Sequence, residues 1–193
     1  MFTPIFPSKI QDTAEIYLRL LDKWNSVHSI TALSATMRFE ALLLDSAALI
    51  PHLEHLAAGS IVADFGSGMG IPAFVIAAYR PDICVLAIDR SHKKMAFTRQ
   101  TALETGLNNL RAVCGSIESM PPLNAHFGTA KAVGSLDLLL SWWKRHSARG
   151  APFFAFKGPA WNHSEINGEW DYETYPYTLP NLGERVIVKL KLF

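Results

Sequence analysis

The stretch Ile61-Val62-Ala63-Asp64-Phe65-Gly66-Ser67-Gly68-Met69-Gly70-Ile71 predicts the fold of this chain. It holds a short apolar run, an acidic residue and three glycines at alternate positions, and an apolar segment continues to Tyr79. Open α/β sheets build their ligand sites from a buried strand that breaks into a glycine turn and then a helix. Glycine permits positive φ and lets a ligand approach where a Cβ would collide. The stretch therefore predicts a binding site at the carboxyl edge of a parallel sheet.

The spacing of these glycines separates two classes of ligand. A dinucleotide fingerprint has the form G-x-G-x-x-G, which places a pyrophosphate on the helix N-terminus. This chain has D-x-G-x-G-x-G, with Ile71 where that fingerprint requires glycine. The pattern resembles the first motif of the class I methyltransferases, which bind S-adenosylmethionine, and it implies cofactor contacts for Asp64, Gly66, Gly68 and Gly70. A plain strand-turn-helix without a ligand is the alternative that the pattern leaves open.

Length and composition favour one α/β domain in the cytoplasm. The chain has 193 residues, of which 49% are hydrophobic and 18% charged, so it can bury a core. Because its formal net charge is +1, any RNA-binding surface has to be a local basic face. Cys84 and Cys114 lack metal-ligand spacing, no apolar run is long enough to span a bilayer, and no signal-peptide pattern opens the chain. We expect a cytoplasmic monomer with no metal site and no membrane contact.

The order of the predicted elements favours a doubly wound sheet. Two amphipathic helices, over 8–24 and 34–51, form an N-terminal helical cap within residues 1–58 of a single domain, 1–193. In residues 59–193 strands alternate with helices until two strands close the chain, which predicts a mostly parallel, Rossmann-like sheet with an antiparallel C-terminal hairpin. The predicted strands are 61–65, 84–88, 110–113, 127–133, 151–156, 170–177 and 186–193, and the helices between them are 71–79, 91–106 and 135–143.

Asp89 is the second predicted anchor of the site, because it ends the strand that follows the glycine motif. In this topology its carboxylate lies beside the crevice and can accept both hydroxyl hydrogens of a ribose. The alternative is a simple N-cap for the helix at Ser91; the glycine motif favours the ribose interpretation. The third strand leads to Gly115-Ser116-Ile117-Glu118, a loop that lies against the adenine in such folds and is otherwise a surface turn.

Seven pieces of the sequence occur in the order and spacing of a known family. They are Trp24-Asn25 with Thr31, Leu44-Asp45-Ser46, residues 64–72, Asp89 with Lys93-Lys94 and Phe97, Ala132 with Ser135-Leu136, Lys157-Gly158, and Gly183-Glu184-Arg185. Together they resemble the small-subunit ribosomal RNA methyltransferase G family, also called glucose-inhibited division protein B. The resemblance extends from about Tyr17 to the C-terminus.

This resemblance implies transfer of a methyl group from S-adenosylmethionine to N7 of a guanine in 16S ribosomal RNA, as free RNA or within the small ribosomal subunit. By position it implies that Gly66 and Ile71 contact the cofactor at the turn and that Ile117 and Glu118 contact its adenine. Lys131 stands where the family usually has a cofactor-site Arg, so it is both a cofactor-binding candidate and the one possible catalytic residue. Guanine N7 carries an in-plane lone pair and needs no general base.

The chain also departs from the family pattern, mainly in the substrate half. Leu42 stands for a His, Ser116 and Lys131 for Arg, Ser29 for an Asn, and Ala73 for a Gly. Lys keeps the charge of Arg but loses its planar bidentate fork. Two alternatives therefore stay open: a class I methyltransferase that acts on another RNA or a small molecule, and a non-catalytic module that binds the cofactor.

Overall fold

The computed structural model describes residues 2–162, 164, 166 and 168–192, in which seven strands form one sheet. The strands are β1 Ile61–Phe65, β2 Cys84–Asp89, β3 Leu110–Cys114, β4 Phe127–Lys131, β5 Phe153–Lys157, β6 Trp170–Leu179 and β7 Gly183–Leu192. The helices are α1 Gln11–His28, α2 Ala35–Arg38, α3 Asp45–Ala47, α4 Ala73–Tyr79, α5 His92–Glu104 and α6 Leu136–His146. Among these residues no helix combines the length and the apolar character that crossing a membrane requires.

The strand order is β3-β2-β1-β4-β5-β7-β6, and it confirms the predicted fold class. The first five strands are parallel, whereas β7 pairs antiparallel with both β5 and β6. From β1 the chain builds outward to β3 and then returns to place β4 on the other side of β1. This reversal leaves a crevice at the carboxyl ends of β1 and β4, where open α/β sheets bind their ligands.

Both faces of the sheet are buried, as the nearly continuous apolar strands predict. On β1, Val62 packs into the cluster formed with Tyr17 of α1 and Phe97 of α5. Phe65, on the opposite face, packs into a second cluster with Trp143 of α6. Because successive side chains of a strand point to opposite faces, one five-residue strand serves both clusters and holds its carboxyl end, where the glycine turn begins, in a fixed place.

Two element bounds differ from the sequence prediction in ways that matter for the site. The helix predicted over 34–51 is instead α2, a π-helical turn at Phe39–Leu44, and α3, with a 3-10 turn at Ile50–Leu53 beyond them. The strand predicted over 127–133 ends at Lys131, because Ala132 and Gly134 adopt φ of 57° and 48°, which no strand permits. The residues after β4 therefore form a loop that folds back toward the glycine turn.

Candidate active site

An open cleft of about 630 Å³ lies at the carboxyl ends of β1, β2, β3 and β4. This volume falls within the range of small-molecule sites, roughly 300–1,000 Å³. The cleft is lined by Gly66, Ile88, Asp89, Arg90, Lys94, Gly115, Ile117, Glu118, Ala132, Val133, Gly134, Leu138 and Trp142. Its walls thus come from the glycine turn, from the residues that follow β2, β3 and β4, and from the outer face of α6.

The three glycines of the turn have different functions. All adopt positive φ, which L side chains rarely tolerate. A Cβ on Gly66 would lie 2.4 Å from Val133 Cγ2, and one on Gly70 would lie 2.8 Å from Thr98 Cγ2. A Cβ on Gly68 would meet no atom nearer than 4.0 Å. Gly66 and Gly70 therefore let the turn pack against its neighbours, whereas Gly68 leaves open space in front of it.

Asp64 supports the turn from beneath. Its side chain has no exposed surface, and its Oδ2 accepts a hydrogen bond of 3.1 Å from the backbone N–H of Ala73, at the start of α4. Burial raises the pKa of this carboxyl well above its usual range. On the far side of the turn, the buried Tyr17 hydroxyl of α1 donates to the Met69 carbonyl oxygen at 3.2 Å. Helix α1 thus holds the turn as well as packing against the sheet.

Asp89 joins the glycine turn to the residues after β2. Its Oδ2 accepts from the N–H of Gly68 at 2.9 Å, and its Oδ1 accepts from the N–H of Ser91 at 2.8 Å. The side chain of Ser91 caps α5 by accepting from the N–H of Lys94. Each carboxylate oxygen can accept a second hydrogen bond, so the half-buried Asp89 keeps acceptor capacity on the cleft side. Positioning of the turn and ribose binding are therefore compatible at this residue.

The loop after β3 forms the opposite wall. Ile117 is buried under it and Glu118 lies at the mouth of the cleft, where its Oε1 pairs with Arg90 Nη2 at 2.5 Å. The Ser116 hydroxyl donates to the other carboxylate oxygen of Glu118. These contacts lower the pKa of Glu118 to about 2, and the hydrogen bond from Ser116 has the largest effect. The residue that replaces a family Arg, Ser116, thus has a local partner in this chain.

Two residues near the end of α6 hold this loop by its backbone. The guanidinium of Arg145 donates to the carbonyl oxygens of Glu118 and Met120 at 2.7 and 2.8 Å. The buried His146 Nε2 lies 2.9 Å from the carbonyl oxygen of Ile117 and donates a hydrogen bond to it. Burial lowers the pKa of His146, in keeping with a neutral ring that donates from Nε2. No local sequence signal indicates this contact, because it joins segments more than 25 residues apart.

Lys131 lies at the end of β4, but its ammonium turns away from the cleft. Its Nζ is 2.7 Å from Asp45 Oδ2 and also donates to the carbonyl oxygen of Ala41. Asp45 in turn accepts a hydrogen bond from the Tyr177 hydroxyl. Burial raises the pKa of that hydroxyl. The predicted roles of Lys131 in cofactor binding and catalysis stay predictions, and its observed contacts bind the N-terminal helices to the sheet.

Comparison with known proteins identifies the family. The family model described as rRNA small subunit methyltransferase G matches residues 10–176. The chain belongs to this family. A ribosomal RNA small subunit methyltransferase G from Chromobacterium violaceum is 36% identical over 183 residues, which cover 91% of this chain and 86% of that protein. One from Neisseria gonorrhoeae is 35% identical over 156 residues, covering 80% and 74%.

Solved structures show the same fold at low sequence identity. A SAM-dependent methyltransferase from Aquifex aeolicus aligns with a TM-score of 0.61 at 15% identity, over 86% of this chain and 97% of that one. An O-methyltransferase from Bacillus cereus, in complex with SAH, aligns with a TM-score of 0.62 at 11% identity, over 93% and 91%. This methyltransferase G chain is therefore an S-adenosylmethionine-dependent methyltransferase of class I, as its sequence predicts.

The geometry of the cleft fits the cofactor of methyltransferase G enzymes. Open space lies in front of Gly68, the Asp89 carboxylate has unused acceptor positions, and the loop at Ile117 and Glu118 closes the far wall. Of the nine predicted cofactor residues, the structure places Gly66, Asp89, Ile117 and Glu118 on the cleft lining. The other five lie behind or beside it: Asp64, Gly68, Gly70, Ile71 and Lys131.

Sequence reasoning missed the wall that the loop after β4 and α6 provide. Val133 and Gly134 follow the end of β4, and Leu138 and Trp142 lie on the exposed side of α6. Trp142 follows Leu138 by one helical turn, the spacing that places two residues on one face. The sequence contains this spacing, but the spacing alone does not distinguish residues that line a ligand cleft from residues at the rim of the core.

Proposed function

We propose that this chain transfers the methyl group of S-adenosylmethionine to N7 of a guanine in 16S ribosomal RNA. Family membership supports the methyl transfer, and one structural observation supports a guanine base as the acceptor. A second cavity of about 240 Å³ opens beside the cofactor cleft and shares Ala132, Val133 and Gly134 with it. Methyl transfer requires a base site that adjoins the cofactor site, and the shared residues place these two cavities side by side.

The chemistry of this second cavity suits an acceptor that needs no general base. Its described lining consists of Ala130, Ala132, Val133, Gly134, Leu139, Ala155, Phe156, Lys157 and Gly158, with no Asp, Glu, His or Cys. Guanine N7 attacks with a lone pair that it already has, so no proton has to be removed before the carbon–nitrogen bond forms. The residues then contribute by positioning the base and by excluding water.

S-Adenosylmethionine, when bound, supplies an electrophilic methyl group. The protein's contribution is to hold the two partners in line: the glycine turn and Asp89 on the cofactor side, the β4 and β5 ends on the base side, and the 132–134 loop beside the point where the two cavities adjoin. The largely buried Phe156 lines this cavity and gives it an apolar wall. Each residue acts here by placement and not by accepting or donating a proton.

The proposal includes a folded target within the small ribosomal subunit, bound by a monomer of this chain. A net charge of +1 gives little autonomous affinity for RNA, since phosphate neutralisation supplies most nonspecific binding. A base presented by a folded particle can be recognised by shape instead. Leu42 and Ser116, which stand where the family has His and Arg, add no positive charge for RNA: Leu42 is part of the apolar core, and Ser116 hydrogen-bonds within its own loop.

The test uses small subunits purified from a strain that lacks this protein, labelled cofactor, and mapping of N7 methylation by borohydride and aniline cleavage. We expect label in the subunit RNA and cleavage at a single guanine. Label in another RNA or a small molecule, with none in the subunit, would establish the alternative acceptor. Tight cofactor binding without transfer to any of them would establish a binding module.

A further inference from the structure

Lys94 is a cleft residue that neither the family resemblance nor the sequence motifs assign to the cofactor. It lies in the first turn of α5, is half-buried, and lines the cofactor cleft. Its Nζ lies 4.0 Å from the position of a Cβ on Gly68, so the ammonium stands directly over the open side of the glycine turn. In the part of the chain that the structure describes, this ammonium forms no hydrogen bond and no ion pair.

The absence of a partner separates Lys94 from the other cations around it. Arg90, the other cation on the cleft lining, pairs with Glu118. The adjacent Lys93 donates to the carbonyl oxygen of His28, at the end of α1. A half-buried cation without a partner is costly unless a ligand supplies one. Of the two cations on the described cleft lining, Lys94 is therefore the one whose N–H donors are available to an anionic ligand group.

We propose that Lys94 binds the α-carboxylate of S-adenosylmethionine. This inference rests on the cofactor assignment. The carboxylate is the one anionic group of that cofactor. A hydrogen bond between an ammonium and a carboxylate is stronger than one between neutral groups. An RNA phosphate is the competing anion, but the position of Lys94 over Gly68, in the same cavity as Asp89, favours the cofactor.

The division of contacts that follows is simple. Asp89 and the Ile117–Glu118 wall bind the nucleoside half of the cofactor, and Lys94 binds its amino-acid half. Because a hydrogen bond to a charged group contributes about 1.5–3 kcal/mol, loss of Lys94 should cost roughly ten- to a hundredfold in affinity for a ligand that carries the carboxylate. The same loss of Lys94 should not change the affinity for a ligand that lacks the carboxylate.

Calorimetry with two ligands tests this division. S-Adenosylhomocysteine carries the carboxylate, and 5′-methylthioadenosine has the same nucleoside and sulfur without the amino-acid group. We expect Lys94→Gln to lower the affinity for S-adenosylhomocysteine by at least tenfold and to change the affinity for 5′-methylthioadenosine by less than twofold. Lys93→Gln removes the same charge one residue away and should leave the affinities for both ligands unchanged.

Three results would overturn the proposal. Equal losses for the two ligands would place Lys94 on the nucleoside or show a general effect on the fold. Unchanged binding of both, with weaker binding of small-subunit RNA, would assign Lys94 to a phosphate. Wild-type protein that binds neither ligand would refute the cofactor assignment itself, a failure that is distinct from that of Lys94.

Discussion

The cofactor cleft and the junction between the N-terminal helices and β4 treat their charged groups in opposite ways. In the cleft, Asp89 keeps unused acceptor positions, and the Lys94 ammonium has no partner among the described residues. At the junction, Lys131, Asp45 and Tyr177 satisfy one another, and the Ala41 carbonyl takes a further hydrogen bond. The difference teaches that charge at a carboxyl edge is not by itself a binding site. A site keeps hydrogen-bonding capacity open, whereas a structural junction consumes it.

The largest effect is expected where the cleft is filled. Gly68→Ala places a methyl group in the open space before the turn, at φ of 56°. We expect no detectable binding of S-adenosylhomocysteine by calorimetry, with a stability loss of only about 1–2 kcal/mol from the left-handed backbone. Gly106→Ala is the matched control, because Gly106 has φ of 68° and open space on a distant turn. Tight binding by Gly68→Ala would show that the cofactor does not approach this glycine.

At the junction, the large effect should fall on stability instead. Lys131→Met removes one member of a largely buried ion pair and leaves the Asp45 carboxylate without its cation. Breaking such a pair costs about 3–5 kcal/mol, which urea unfolding measures. Cofactor affinity should change by less than twofold if the contacts of Lys131 are structural. Weaker cofactor binding at full stability would instead support the role that the family position predicts.

Lys131→Arg sharpens the same comparison. Arg is the residue that the family usually carries at this position, and it keeps the charge that Asp45 requires. We expect stability close to that of the parent protein and methylation that is equal or higher. Methylation that falls with Lys131→Arg, although the protein is stable, would show that this chain has adapted its junction to the shorter ammonium.

An intermediate effect is expected at Asp89. Asp89→Asn keeps the shape of the side chain but replaces one acceptor oxygen with a donor, so either the Gly68 or the Ser91 hydrogen bond is lost together with a ribose contact. A hydrogen bond to a charged group contributes about 1.5–3 kcal/mol, which corresponds to roughly ten- to a hundredfold in affinity. Calorimetry and thermal melting together decide its role: a lower melting temperature at unchanged affinity would mean that Asp89 only positions the turn.

The smallest effect is expected at the support behind the cleft. Arg145→Gln removes two hydrogen bonds to the loop after β3 without touching the cleft itself. We expect affinity for S-adenosylhomocysteine to fall roughly fivefold, about 1 kcal/mol, and kcat at saturating cofactor to stay unchanged. Lys144→Gln is the control, because Lys144 pairs with Glu169 outside the loop. A lower kcat in Arg145→Gln would place the loop in the transfer step.

Much of this molecule follows from local sequence patterns. The continuous apolar run of β1, the break at Gly66 and the acid at the end of β2 predict the switch-point crevice and two of its walls. These signals work because burial on both faces of a parallel strand, glycine backbone freedom and the parallel order of strands act over a few residues or through one topology. The family and its cofactor follow from the same pieces in their order.

The tertiary structure alone decided which predicted residues line the cleft. Gly70 packs on Thr98, Asp64 lies buried beneath the turn, and Lys131 turns to Asp45 although it ends a strand at the correct edge. A sequence pattern places a residue at the end of a strand but does not specify where a long, flexible side chain finds its partner. That choice depends on which charges and carbonyl groups other segments bring near, and Lys131 meets Ala41 across 90 positions of sequence. The sequence thus determined the sheet, the turn and the cofactor class, while packing between distant segments determined which side chains line the cleft and which are used up in contacts elsewhere.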